Sequence, residues 1–261
     1  MRFFKGHALG NDYIVLERAA LPAALGPALV RRLCDRRRGV GGDGVAEIAS
    51  AGPPEVVIWN ADGSRAEVSG NGLRIAARVL ERELGGRSLE LMSAGRTYRV
   101  DFEPGRRVRI RLPAGRVVAA DQELELAGRT VRFTQVDVGN PHAVLEWTGE
   151  LEQVWPVVAA GLETHARFPQ RTNVELVRAE GPRQLRVELH ERGVGPTAAS
   201  GTGALAAAIA AAHLELSSPG PVRVRMAGGE LEVEASAEAA SLCGPVLLVF
   251  EGELAPAALG D

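Results

Sequence analysis

Short runs of alternating apolar and charged residues dominate the chain. Val108-Arg109-Ile110-Arg111-Leu112 and Leu185-Arg186-Val187-Glu188-Leu189 are the clearest, with the period of two expected of strands that keep one wet face. The same rhythm predicts strands at Ser88 to Met92, Thr97 to Phe102, Thr130 to Phe133, Ala143 to Trp147, Asn173 to Val177, Val222 to Met226, Leu231 to Glu234 and Val246 to Phe250. Shorter ones are expected at Phe3 to Phe4, Ile14 to Leu16, Val56 to Trp59 and Leu124 to Leu126. Helical spacing is rarer. Pro27 to Arg38 carries Leu29, Val30, Leu33 and Cys34 and ends in basic residues before Gly39, which suits a helix C-terminus. Gln153 to Leu162 reads as a helix despite Pro156, and two more are expected from Asn71 to Leu84 and from Gly201 to Leu214. The alanine-rich run Ala206 to Ala212 suits a helix buried on nearly all sides. Gly39 to Gly44 reads as a glycine loop, Asn60 to Ser64 as a turn, and Pro113-Ala114-Gly115 as a linker.

Both of the last two helices begin on the same device. Ser69-Gly70-Asn71-Gly72 precedes one and Ser200-Gly201-Thr202-Gly203 the other. A small polar residue and Gly-x-Gly at a helix start leave backbone N–H groups aimed outward, which with the helix dipole makes a site for an anion. One instance is often only a tight turn. Here the surroundings repeat as well. Gly10-Asn11-Asp12-Tyr13-Ile14-Val15-Leu16 parallels Gly139-Asn140-Pro141-His142-Ala143-Val144-Leu145 at an offset of 140 − 11 = 129, and the serines are offset by 200 − 69 = 131. A polar residue lies nine places before each serine, Asn60 and Glu191. Near-equal offsets over three landmarks argue for an internal duplication. The expected fold is therefore α+β, with two pseudo-symmetric lobes, each a mostly antiparallel sheet wrapped around a central helix. The lobes are drawn at 1–114, with 246–261 returning to the first, and 115–245. Their helix starts would face each other across a cleft.

Composition narrows the chemistry. The chain has 261 residues, 46% hydrophobic and 24% charged, with a net charge of −3, as expected of a globular chain with no electrostatic call for nucleic acid. No stretch approaches the ~18 unbroken apolar residues of a membrane span, and the N-terminus reads as a strand rather than a signal peptide. A cytoplasmic location follows. Cys34 and Cys243 lack metal-ligand spacing and read as buried free thiols. No metal or other cofactor is expected. The expected partner is a small amino acid, without nucleic acid or membrane, and a homodimer is left open. No Gly-Lys-Ser/Thr follows the glycine loops, and neither serine lies in Gly-x-Ser-x-Gly, which excludes P-loop and α/β-hydrolase readings.

A carboxylate held by two opposed helix starts leaves Ser69 and Ser200 on opposite faces of the carbon it is attached to. That arrangement removes a proton from one side and returns it from the other. Asn11, Asn60, Asn140, Asn173, Glu191 and Arg192, at loop exits, would recognise a polar amino acid, with Arg192 as a two-pronged carboxylate anchor. Each also has a plain structural reading: Asn11 and Asn140 as turn residues, Asn60 and Asp62 as a hairpin turn, Glu191 and Arg192 as a surface pair, His142 as a satisfied loop histidine. Asp43, in its glycine loop, has no clear role.

Gly10-Asn11-Asp12, Asn60-x-Asp62-Gly63-Ser64-x-Ala66-Glu67, Gly70-Asn71-Gly72, Gly139-Asn140-Pro141-His142, Thr172-Asn173-Val174, Glu191-Arg192-Gly193-x-Gly195 and Gly201-Thr202-Gly203 together resemble the diaminopimelate epimerase family over nearly the whole chain. The resemblance implies a metal-free enzyme, independent of pyridoxal phosphate, that interconverts LL- and meso-diaminopimelate with two cysteines in a closed interlobe cleft. It maps Asn11, Asn60, Gly70, Asn71, Asn140, Asn173, Glu191, Arg192, Gly201 and Thr202 to substrate contacts, and His142 and Glu191 to residues that tune the acid/base pair. The chain departs from the family where both cysteines are expected, carrying Ser69 and Ser200, and again at Pro196-Thr197, where Glu-Thr is usual.

The serines change the energetics. A thiol has a pKa of about 8.5 and a hydroxyl one near the ~15.7 of water, a gap of roughly 10 kcal/mol. A helix N-terminus returns at most about 2 kcal/mol, and a general base such as His142 or Glu191 about 3–5 kcal/mol. The sum leaves the gap open. Three readings stand: a diaminopimelate epimerase or its descendant, an isomerase or dehydratase of another amino or hydroxy acid on the same fold, and an amino-acid-binding protein without chemistry.

Overall fold

The computed structural model describes residues 1–21, 24–49, 53–66, 69–126 and 128–255. Glu67, which belongs to one of the family-like motifs, lies outside them. The elements run β1 (Arg2–Ala8), β2 (Asn11–Glu17), a single 3-10 turn (Arg18–Ala20), α1 (Pro27–Cys34), β3 (Gly44–Ile48), β4 (Val56–Asn60), α2 (Gly70–Leu84), β5 (Ser88–Ser93), β6 (Arg96–Glu103) and β7 (Arg107–Pro113). They continue with β8 (Arg116–Leu126), β9 (Arg129–Asp137), β10 (Pro141–Glu146), α3 (Gly149–Glu163), β11 (Asn173–Gly181), β12 (Gln184–Glu191), β13 (Gly195–Pro196), α4 (Gly201–His213), β14 (Val222–Met226), β15 (Gly229–Ala235), β16 (Ala239–Pro245) and β17 (Leu247–Glu253). The fold is α+β. It divides into two compact units, Met1–Arg111 with the chain from Cys243 onward, and Leu112–Leu242.

In the first unit the sheet order is β17-β1-β2-β3-β4. β1 is antiparallel to β17 and β2, β2 is parallel to β3, and β3 is antiparallel to β4. β5, β6 and β7 form an antiparallel meander. Ile14 and Leu16 join Val45 and Trp59 in a core closed by Val30, Leu33 and Cys34 of α1, while alternation turns Tyr13 the other way, toward the start of α2. With both faces covered, β3 is buried at every position, as sheets covered on both faces are.

The second unit repeats the arrangement. β9 and β10 are antiparallel, β10 and β11 parallel, β11 and β12 antiparallel, and α4 follows, as β1, β2, β3, β4 and α2 do. The repeat extends to register: Tyr13 pairs with Gly44, and His142 with Asn173, both at 142 − 13 = 173 − 44 = 129. The unit is completed by β8 beside β9, β14 beside β12 and β15 beside β14. α4 packs against β15, β11, β9 and β10, and its alanines let those strands approach closely. α3 closes a second core, with Val158, Ala159 and Leu162 against Val131, Phe133, Leu145 and Leu176.

Several predicted elements shift. α1 stops at Cys34 rather than running to Arg38, because the Asp35 carboxylate accepts the backbone N–H groups of Arg37 and Arg38 at 2.8 and 2.9 Å and turns the chain. α3 starts at Gly149, ahead of the expected Gln153. β3 and β16 are strands beyond those the pattern predicts, and β8 reaches back to Arg116 through two register shifts that scramble its alternation. Among the described residues no helix is long and apolar enough to cross a membrane.

Candidate active site

The two serines are helix N-caps of one geometry. Ser69 (φ −136°, ψ 104°) and Ser200 (φ −134°, ψ 130°) are both extended. The Oγ of each accepts the third backbone N–H of its helix, from Gly72 at 3.0 Å and from Gly203 at 3.2 Å. The N–H groups of Gly70 and Asn71, and of Gly201 and Thr202, therefore have no partner within their helices, beside hydroxyls at the positive ends of the dipoles.

In the first unit Ser69 Oγ lies 3.1 Å from the Tyr13 hydroxyl. Asn71 donates to Asn11 Oδ1 at 3.1 Å and accepts from the fully buried Arg74 at 2.7 Å. Asn11 in turn donates to Asp43 Oδ2 at 2.9 Å, which also accepts the N–H of Asp12 at 3.0 Å. Arg36 bridges Asp12 and Asp43 at 2.7 and 2.8 Å. Lys5 pairs with Asp12 at 2.6 Å and donates to the Gly41 carbonyl. Burial pushes the Asp12 carboxyl upward, but hydrogen bonds from Arg36 and Lys5 outweigh it and hold the group well below the usual carboxylate range. Asp43 thus orients Asn11 through a charged brace. Asn60 ends β4 opposite Gly44, next to Asp43, and its amide donates to Ser64 Oγ at 2.9 Å within its own turn.

In the second unit His142 is fully buried, with both ring nitrogens engaged: Nδ1 with Glu175 Oε1 at 2.7 Å and Nε2 with Asn140 Oδ1 at 3.0 Å. Burial pushes the Glu175 carboxyl up, and His142 offsets only part of that. One hydrogen bond joins Glu175 to Nδ1, and Nε2–H donates to Asn140. The second Glu175 oxygen has no hydrogen-bond partner, which a neutral acid tolerates better than a carboxylate.

Asn173 uses both ends of its amide, donating to the Pro141 carbonyl at 3.0 Å and accepting the Arg192 N–H at 3.1 Å. Glu191 accepts from the Thr197 hydroxyl at 2.7 Å, and the Arg192 guanidinium donates to the Gln170 carbonyl at 3.3 Å. The Thr202 hydroxyl lies 3.5 Å from Ser200 Oγ. The turn that carries Glu191 and Arg192 is pinned by Glu163, which accepts the Gly193 N–H at 2.8 Å and pairs with His190 at 2.9 Å. Those bonds overcome the effect of burial and hold the Glu163 carboxyl below its usual value.

The model of the family described as diaminopimelate epimerase matches residues 3–125 and 134–249. The chain belongs to that family. It is 38% identical to the diaminopimelate epimerase of Xanthomonas campestris pv. campestris and 35% identical to that of Magnetococcus marinus, in each case over 97% of this chain and 96% of the relative. Among solved structures, a probable proline racemase from Agrobacterium radiobacter superposes with a TM-score of 0.72 at 15% identity, covering 99% of this chain and 95% of the other. A hydroxyproline epimerase from Agrobacterium vitis, solved with trans-4-hydroxy-L-proline bound, gives 0.71 at 14% identity over 100% and 94%. A phenazine biosynthesis protein of the PhzF family from Bacillus anthracis gives 0.72 at 11% identity over 98% and 99%. These likenesses carry the fold.

Five residues now joined to the candidate site had no assigned function in the sequence: Tyr13, Asp43, Arg74, Glu163 and Glu175. The first offered a signal, because it aligns with His142 in the repeat (142 − 13 = 129). Glu175 offered none, since an acid in an alternating strand reads as the wet face.

Proposed function

We propose that the protein interconverts LL- and meso-diaminopimelate by two-base proton transfer at the α-carbon, with Ser69 and Ser200 each serving one face. The observation that carries the reading is the matched pair of serine-capped Gly-x-Gly helix starts in a chain of this family. Each cap offers a hydroxyl for the proton beside backbone N–H groups for the carboxylate. Asn11 and Asn71 in one unit, and Asn140, Asn173, Glu191, Arg192 and Thr202 in the other, supply the polar contacts. Asn60 contributes from its turn. His142, locked by Glu175 and Asn140, acts by fixing Asn140 and the local field rather than by taking a proton from serine. Two unpaired buried thiols suit a cytoplasmic enzyme.

The test is incubation of either epimer in D₂O. The reading expects deuterium at the α-carbon and formation of the other epimer, both faster in Ser69→Cys/Ser200→Cys because the thiol ionises more readily. Absence of label above buffer in the parent, at high enzyme concentration, overturns it. The serine pair favours one alternative, an isomerase or dehydratase acting on another amino or hydroxy acid. That alternative expects turnover of such an acid and none of diaminopimelate.

A further inference from the structure

We propose that Tyr13 is the proton reservoir of Ser69, so that the working acid/base on that side is a hydroxyl–phenol couple rather than a lone alcohol. The inference rests on the proposed role of Ser69 and deepens it. Tyr13 acts through the serine and does not touch substrate.

Three observations meet here. The Tyr13 hydroxyl lies 3.1 Å from Ser69 Oγ. That oxygen also accepts the Gly72 N–H at 3.0 Å, so the cap bond, the phenol contact and one outward direction account for the hydroxyl's bonding capacity. The Tyr13 ring, 5% exposed, is seated by two glycines. A Cβ at Gly44 would come within 2.6 Å of its Cε1, and one at Gly72 within 3.2 Å. Finally, the repeat gives the second unit a matching but chemically different partner. Tyr13 occupies the place of His142, and a Cβ at Gly203, which matches Gly72 (203 − 72 = 131), would lie 3.0 Å from the Glu175 oxygen that holds His142. Each repeat thus places a titratable group beside its motif helix, a phenol bonded to Ser69 in one and a His–Glu pair next to Gly203 in the other.

The chemistry follows from the ordinary acidities. At pH 7 a phenol with a pKa of about 10 is ionised in roughly one molecule in 10³, whereas an alcohol near ~15.7 is ionised in roughly one in 10⁹. In the forward step the α-C–H bond breaks and its electron pair stays on carbon. The proton goes to Ser69 Oγ, and the serine's own proton passes to the Tyr13 phenolate. In reverse the phenol reprotonates Ser69 as the serine gives its proton to the α-carbanion. No other reactant is required.

Two measurements test this. Tyr13→Phe removes only the hydroxyl and should slow α-deuterium incorporation about 10²- to 10⁴-fold, the usual span for a lost acid/base group. It should also flatten the rise of rate with pH, and Ser69→Cys in the Tyr13→Phe background should recover exchange. A Tyr13→Phe rate within about 2-fold of the parent, or an unchanged pH profile, overturns the proposal. Ultraviolet titration of the free protein needs no substrate. The chain has two tyrosines, and burial pushes Tyr98 upward. The tyrosinate signal missing from Tyr13→Phe should move up in Ser69→Ala. A Tyr13 signal indifferent to Ser69→Ala refutes the couple. If the parent fails to exchange diaminopimelate while the titration behaves as expected, the substrate reading fails and the couple stands.

Discussion

Replacing Glu175 with glutamine should leave the protein about as stable as its parent at acid pH and more stable than its parent as pH rises. Glu175 is fully buried on β11, its Oε1 2.7 Å from His142 Nδ1 and its other oxygen without a hydrogen-bond partner. Burial raises its folded pKa above the ordinary value, with His142 opposing only in part. A carboxyl raised in this way contributes its full stability below the unfolded pKa of about 4.3. That contribution is lost as pH climbs toward the folded value, by up to about 1.4 kcal/mol per pH unit. Glutamine stays neutral throughout and can still donate an N–H to Nδ1. Glu175→Ala instead strands a buried ring nitrogen and should lose about 1–3 kcal/mol at every pH. Urea denaturation of the three proteins between about pH 5 and pH 8 gives the difference directly. A difference between parent and Glu175→Gln that is flat, or that moves in the parent's favour as pH rises, refutes the claim that burial raises the Glu175 carboxyl.

Other outcomes follow from the same geometry. Ser69→Ala and Ser200→Ala should each lower stability by about 1 kcal/mol through the lost cap, read in thermal or urea unfolding, whereas Ser69→Asp and Ser200→Asp should keep the cap and its stability. Gly203→Ala would set a Cβ 2.8 Å from Leu189 Cδ2 and 3.2 Å from Ser200 Cβ. It should destabilise by about 1–3 kcal/mol and displace the Ser200 cap, seen as lost activity at temperatures where the variant is still folded. Asp43→Asn weakens the brace on Asn11 and should raise KM for diaminopimelate more than it lowers kcat. Burial pushes both cysteine thiols up to about 11, so Cys34 and Cys243 should resist alkylation in the folded protein and react only on unfolding.

The sequence made the duplication legible because it preserves spacing. Gly-Asn, the polar residue nine places before serine, and Ser-Gly-x-Gly recur at offsets of 129 and 131, and strand pairing and helix capping follow those landmarks. Other features were hidden for physical reasons. β3 follows the glycine run and is buried at every position with Glu47 inside it, so its pattern has no alternation to read. β8 carries a positive φ at Asp121 (49°) and two register shifts, which break a period of two. Glu175 carries no signal of burial because an acid in an alternating strand suits a wet face, whereas β11 is buried at every position from Asn173 to Val177. Asp43 reaches Asn11 only through a fold that brings residues 32 positions apart together.

In the proposed mechanism two serines divide one proton transfer between opposite faces of a carbon. The most direct measurement compares Ser69→Ala and Ser200→Ala in D₂O, starting separately from LL- and meso-diaminopimelate. Each variant should lose interconversion while still labelling one epimer, and the epimer labelled should differ between the two. Parent-like labelling of both epimers by either variant, or loss of the same epimer in both, contradicts the division of labour.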